Sequence, residues 1–261
     1  MIKAKKSLGQ NFLIDGNIID KIIDIVDIQN KDVLEIGPGT GNLTSAILKK
    51  NPNKLLVVEK DNELAENLRT DFGNTIEIIN NDILNLDENS LSANKLTVFG
   101  NLPYNISTEI LCKWILNIKE NNWFECLILM FQKEVADRII AKFNTKNYGR
   151  LSIVSNWILE IEKICDVKPT SFLPVPRVDS SVLFFKPKKK IFKFNNPKNL
   201  EKITRIFFMH RRKMLKKPYN QLFDGNTEIA SKLKIDLNLR PQNLDFETYF
   251  KIVNEYEKLR S

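Results

Sequence analysis

The stretch Val33-Leu-Glu-Ile-Gly37-Pro-Gly39-Thr-Gly41 constrains this chain more than any other, because a run of strand character passes directly into a glycine-rich turn. Glycine has no Cβ, so such a turn lets the backbone approach a ligand closely and lets a helix begin tight against the strand. Further short apolar runs follow, with helical patterns between them: Leu55-Leu-Val-Val58, Thr75-Ile-Glu-Ile-Ile79, Leu96-Thr-Val-Phe99 and Leu127-Ile-Leu-Met130. Strand and helix alternating in this way predict an α/β fold built on a parallel, doubly wound sheet. A dinucleotide fingerprint would have glycine where Asn42 stands, and Gly41 comes one residue early, which disfavours NAD and FAD.

Upstream, Ile18, Ile19, Ile22, Ile23 and Val26 recur at helical spacing behind Asp15, a candidate helix cap. The preceding Lys5–Leu13 segment then reads as an exposed arm. Downstream of Tyr148-Gly-Arg-Leu151 the pattern changes to two β-like runs, Trp157–Val167 and Ser181–Phe185, joined by Phe172-Leu-Pro-Val-Pro176. An antiparallel pair at one sheet edge accounts for them. Lys188–Phe194 reads as a linker, followed by helical patterns at Asn199–Phe208, Met214–Leu222 and Phe246–Leu259. The domain boundary is expected near residue 188, giving a catalytic domain with its arm over 1–187 and a helical domain over 188–261.

A chain of 261 residues accommodates that division, since single domains commonly run to about 100–200 residues. The net charge of +8, with a pI of about 9.2, attracts polyanions. Positive charge gathers at Lys188–Lys193 and at Arg205, Arg211, Arg212, Lys213, Lys216 and Lys217, as contacts to nucleic-acid phosphates require. Cys112, Cys126 and Cys165 are too scattered for a zinc site or a disulfide framework and read as reduced and buried. His210 is the only histidine, so a histidine-rich metal cluster is excluded and no metal is expected. No apolar run reaches the ~18–20 residues needed to span a bilayer, and the basic start, Lys3 to Lys6, leads into no signal-peptide stretch. A cytosolic protein is expected.

Glu59 ends the second strand about 20 residues beyond the glycine turn, where a carboxylate can accept hydrogen bonds from both hydroxyls of a ribose. Asp82 follows the third strand in Asn80-Asn-Asp-Ile-Leu84, positioned to accept from an adenine amine while Ile83 covers the ring. Asn101-Leu-Pro-Tyr104 follows the fourth. Adenine N6 is a poor nucleophile because its lone pair is delocalised into the ring; acceptors that hold both amine protons help to localise it toward a methyl donor. The Asn101 side-chain oxygen and the Leu102 carbonyl can be those acceptors. Pro103 fixes the turn and carries no amide hydrogen. Tyr104 can then stack on an adenine drawn out of its own stack, with Phe172 on the opposite face. No general base is obligatory.

Together, Ser7-Leu-Gly-Gln-Asn-Phe-Leu13, Leu34-Glu-Ile-Gly-Pro-Gly-Thr-Gly41, Gly100-Asn-Leu-Pro-Tyr-Asn-Ile-Ser-Thr108, Gln132-Lys-Glu-Val-Ala-Asp-Arg138, Tyr148-Gly-Arg-Leu-Ser152 and Val178-Asp-Ser-Ser-Val182 resemble the small-subunit rRNA adenine dimethyltransferase (kasugamycin-sensitivity methylase) family. The resemblance spans nearly the whole chain, including Arg211-Arg-Lys213. It implies a Rossmann-like class I methyltransferase sheet with a small C-terminal helical domain and S-adenosylmethionine as cofactor. The implied substrate is a pair of adjacent adenosines in the 3′-terminal hairpin of 16S rRNA, dimethylated on an assembling small subunit by a monomer. The implied cofactor contacts are Asn11, Leu13, Gly37, Gly39, Glu59, Lys60, Asp82, Ile83 and Asn101. Tyr104 and Phe172 are the implied base-stacking residues. Two rival readings stand beside this one: an erythromycin-resistance methylase acting on the large subunit, and a non-catalytic assembly or nucleic-acid-binding factor.

Overall fold

The computed structural model describes residues 4–5, 8–118 and 122–260. Lys3, Lys6 and Ser7, part of the basic start and of the first arm motif, lie outside the described residues. The chain divides into two compact units: Met1–Lys113 with Ile118–Ala136 and Ile161–Pro187, and Trp114–Asn117 with Asp137–Glu160 and Lys188–Ser261. The longest segment of the second unit thus starts at Lys188, and the unit also takes in two earlier stretches.

The first unit is built on a seven-stranded sheet. Its strands are β2 (Asp32–Ile36), β3 (Lys54–Glu59), β4 (Glu77–Asn80), β5 (Leu96–Asn101), β6 (Phe124–Gln132), β7 (Leu159–Val167) and β9 (Ser180–Pro187), in the order β4-β3-β2-β5-β6-β9-β7. The five strands from β4 to β6 run parallel, and β9 runs antiparallel to β6. Every residue of β2 is buried, as a parallel strand covered on both faces requires. The parallel part is the sheet that the alternating pattern predicts. At the antiparallel edge, β9 lies between β6 and β7, so the later of the two β-like runs is the inner strand.

Several boundaries differ from the sequence reading. The run from Trp157 is split: Arg150–Ile158 is helical, and the backbone turns extended only at Leu159. Thr75 closes a 3-10 turn, and β4 begins two residues later. Asp15 does cap the first helix, α1 (Gly16–Ile23), accepting from the amides of Asn17 and Ile18, but the helix ends before Val26. Among its described residues the arm is exposed only at Lys5. Residues 8–12 are half-buried, Leu13 is buried, and Phe12–Leu13 (β1) forms a small antiparallel ladder with Phe172–Leu173 (β8). Cys126 is buried, whereas Cys112 and Cys165 are only half-buried.

The second unit contains helices at Lys198–Met209, Lys216–Phe223 and Phe246–Lys258, and a short one at Glu228–Lys232 that the sequence reading missed. Its core is aromatic: Phe207 meets Tyr249 edge-on at 5.6 Å, and the buried hydroxyls of Tyr148 and Tyr249 donate to the carbonyls of Leu244 and Pro241. The 188–194 segment has no regular structure, yet it is pinned. Trp157 donates its indole N–H to the Phe192 carbonyl at 2.8 Å and stacks on Phe194 at 4.8 Å. Among the described residues, no helix is long and apolar enough to cross a membrane.

Candidate active site

The parallel strands deliver their carboxyl ends to one rim of the sheet, where α/β folds place their ligand sites. A cleft opens there. One wall comes from the glycine turn and the ends of β3 and β4: Gly37, Gly39, Glu59, Lys60, Asp82 and Ile83. The rest of the lining comes from the end of β5 and from the arm: Asn101, Leu102, Pro103 and Tyr104 with Gly9, Gln10, Asn11 and Phe12.

The arm explains one glycine directly. At Gly39 the backbone is left-handed, and a Cβ would stand 2.6 Å from the Phe12 ring, so the turn needs glycine to fit beneath the arm. Gly41 has a different reason. It starts α2 (Asn42–Leu48) with its Cα facing Phe72, where an added Cβ would meet the ring at 2.6 Å, and it does not line the cleft. Asn42, in the place of a third glycine, donates to the Leu13 carbonyl at 2.8 Å and so ties the arm to the turn.

Glu59 is buried and accepts from the Asp61 amide at 2.8 Å and the Gly39 amide at 3.3 Å, one on each carboxylate oxygen. Burial pushes its carboxyl above the ordinary range, and the two backbone amides oppose that shift. Each oxygen keeps a further lone pair for an outside donor. Asp82 caps a 3-10 turn through the Leu84 amide and pairs with Lys60 at 2.7 Å. Burial raises its carboxyl, but the Lys60 contact, the Leu84 amide and the nearby lysine charges outweigh it and hold the group below the usual range. Asp82 is therefore both a turn cap and a wall of the cleft. Ile83 beside it is buried and apolar.

Asn101 ends β5, and its amide nitrogen donates to the Asn11 carbonyl at 2.8 Å. That contact fixes which end of the amide is which and leaves Oδ1 as the accepting end. The turn that follows is closed by the Ile106 amide on the Pro103 carbonyl. Tyr104 is half-buried, which pushes its phenol above the ordinary pKa, and its hydroxyl lies 2.5 Å from Ser180 Oγ.

Two candidate residues do not line the cleft. Leu13 and Phe172 face each other across the β1–β8 ladder, exposed to 5% and 1%, and both belong to the hydrophobic core. Alternation along a strand explains this: the ladder turns these two inward and leaves Phe12 toward the cleft and Leu173 toward solvent. The sequence reading missed the clasp that holds the arm down. Asp61, almost wholly buried, accepts from Lys5 Nζ at 2.6 Å and from Gln10 Nε2 at 2.9 Å. No local pattern in the sequence signals this role, because both partners lie more than 50 residues away.

The family model for ribosomal RNA adenine dimethylase matches residues 1–258. The chain is 66% identical over 259 residues to ribosomal RNA small subunit methyltransferase A of Pelagibacter ubique (strain HTCC1062), covering 99% of each chain. It is 40% identical to the protein of that name from Wolbachia sp. subsp. Drosophila simulans (strain wRi), covering 99% of this chain and 96% of that one. Among solved structures, a dimethyladenosine transferase from Plasmodium falciparum superposes with a TM-score of 0.78 at 28% identity, covering 95% of this chain and 98% of that one. The 23S rRNA methyltransferase ErmE shares the fold, with a TM-score of 0.68 at 22% identity over 96% of this chain and the whole of that one. With the match running the length of the chain and the cleft assembled from the same motifs, the chain belongs to the ribosomal RNA adenine dimethylase family.

Proposed function

We propose that this protein transfers methyl groups to N6 of two adjacent adenosines in the 3′-terminal hairpin of 16S rRNA, using S-adenosylmethionine, while the small subunit is being assembled. The observation that carries this reading is the shared cleft: the Asn101–Tyr104 loop lines the same cavity as the glycine turn, Glu59 and Asp82. The residues present suit the cofactor, with a buried carboxylate hydrogen-bonded to the turn for the ribose, an ionised carboxylate for the adenine amine and an apolar side chain for the ring. When bound, the cofactor supplies a methyl group made electrophilic by a sulfonium. Glu59 would hold the ribose hydroxyls, and Asp82 would accept from the adenine amine. Gly37 and Gly39 let the turn backbone approach.

On the other wall, Asn101 Oδ1 and the Leu102 carbonyl accept the two protons of the target amine, which directs its lone pair across the cleft. Tyr104 takes the face of the extruded base. Phe172, wholly in the core, supports the arm from beneath. The methylated amine is acidic enough to pass its proton to water, so no buried base is required.

The second unit carries the docking charge in this reading. Lys189, Lys190, Lys193, Arg205, Arg212, Lys213, Lys216 and Lys217 are exposed, whereas Lys188 is half-buried on the Asn156 carbonyl and Arg211 donates to the Lys146 carbonyl. Action as a monomer in the cytoplasm, where ribosomal subunits are assembled, completes the proposal.

Mass spectrometry of rRNA from cells with and without the protein tests the reaction; dimethyladenosine should disappear from small-subunit RNA alone, and loss confined to large-subunit RNA would overturn the target. Replacing Arg212, Lys213 and Lys216 together by Ala should weaken particle binding and reduce the slope of log affinity against log salt by about one for each phosphate no longer neutralised. An unchanged slope would remove this face from the RNA interface.

A further inference from the structure

The Val178-Asp-Ser-Ser-Val182 segment gives the base loop its far anchor. Ser180 opens β9, fully excluded from solvent, and pairs in register with Gln132 at the end of β6. On the neighbouring strand, Asn101 pairs with Met130, two residues earlier. The start of β9 therefore stands at the same rim from which β5 releases the base loop. Ser180 is held on both sides: the Asp179 carbonyl accepts from the Lys133 amide at 2.9 Å, and Ser181 Oγ donates to Asp166 at 2.6 Å. A serine fixed in this way offers a stationary partner.

That partner is the Tyr104 hydroxyl, 2.5 Å from Ser180 Oγ. A ring stacks equally well without a hydroxyl, and a hydroxyl removed from water costs free energy unless it is paired. Here each of the two hydroxyls answers the other. Burial raises the phenol pKa, so Tyr104 stays protonated and able to donate. The second torsion of a tyrosine side chain is soft, and tethering the far end of the ring removes that freedom. The ring is then held at both ends, by the proline turn at its Cα and by β9 at its oxygen.

We propose that Ser180 is a positioning residue of the target-base site: through the Tyr104 hydroxyl it sets the plane of the ring on which the extruded adenine stacks. The inference rests on Tyr104 being that stacking ring. The test compares Ser180→Ala, Tyr104→Phe, the double variant and Tyr104→Ala in the full-length protein, on small subunits from cells lacking it. Ser180→Ala and Tyr104→Phe should each lower kcat about tenfold, the size of one missing hydrogen bond. The double variant should be no worse than either, and affinity for S-adenosylhomocysteine by calorimetry should change by less than about twofold in all three. Tyr104→Ala should fall well below them.

A spectroscopic arm reads ring placement without turnover. With 2-aminopurine at the target position of the hairpin RNA, the wild type should quench its emission, and Ser180→Ala and Tyr104→Phe should leave it brighter. Penalties that multiply in the double variant, or wild-type kcat and quenching in Ser180→Ala and Tyr104→Phe while Tyr104→Ala is crippled, would overturn the anchor. Wild-type turnover by Tyr104→Ala would instead remove the stacking role itself. Should Ser180→Ala fail to fold, Tyr104→Phe decides on the same readings.

Discussion

The two walls of the cleft are held by different means. In the glycine-turn wall the contacts are short in sequence: Glu59 takes the amides of Asp61 and Gly39, two and twenty residues away, and Asp82 takes that of Leu84. In the base-loop wall they are long: Asn101 is oriented by Asn11, 90 residues off, and Tyr104 by Ser180, 76 residues off. A wall made of strand ends and their next turns is fixed as soon as the sheet forms. A loop oriented by single side-chain contacts to an arm and to an edge strand depends on those contacts staying in place.

This difference predicts different failures. The largest effect is expected from Asn101→Ala, which removes the acceptor proposed to activate the amine; methyl transfer should fall by about 10²–10³, the cost of losing one preorganised polar group at a reacting atom. Binding to the small particle should persist, because phosphate contacts are separate from base contacts. Near-wild-type methylation by this variant would break the base-loop assignment. A smaller and differently placed effect is expected from Glu59→Gln. Its loss should appear in the cofactor KM, raised about tenfold or more as the charge-assisted hydrogen bonds proposed to the ribose are weakened, with kcat at saturating cofactor closer to wild type. A change confined to kcat would show that the two walls are not separable.

The same contrast decides what the sequence could reveal. The glycine turn, Glu59 and Asp82 were legible because each follows a strand end, and strand ends in a parallel sheet converge. Asn101-Leu-Pro-Tyr104 was legible as chemistry, from the residue types, but its supports were not. Nothing local marks Asp61 as the clasp for Lys5 and Gln10, which lie 56 and 51 residues away. Nor does a two-residue ladder such as β1–β8 have a period to read, so nothing in Phe172-Leu173 shows which of the two turns inward. Trp157-Ile158-Leu159 failed for another reason: a continuous apolar run fits a buried helix end as well as a strand, and only the backbone at Leu159 separates them.

The smallest expected effect sharpens the account of the glycine-turn wall through stability. Glu35 lies beneath the turn in β2, fully enclosed, with Thr44 Oγ1 donating to it at 2.6 Å. Burial pushes its carboxyl from the ordinary 4.5 to about 8, against the Thr44 hydrogen bond and with help from the Glu59 charge. In the unfolded chain this group loses its proton near 4.5, whereas the folded chain keeps it until about 8. Between these values the folded state binds more protons than the unfolded one, so stability contributed by Glu35 is complete below the lower value and is lost as pH rises to the upper one. Glu35→Gln keeps an acceptor for Thr44 and has no proton to lose. Urea midpoints measured near pH 5 and near pH 8 should therefore show the variant gaining on the wild type as pH rises, by an amount that stops growing above about 8. Glu59, shifted upward by the same burial, should leave part of the slope in both proteins. Parallel pH profiles would mean that Glu35 is ionised in the folded protein, and the wall would then hold two adjacent charged carboxylates where this account places one neutral acid beneath Glu59.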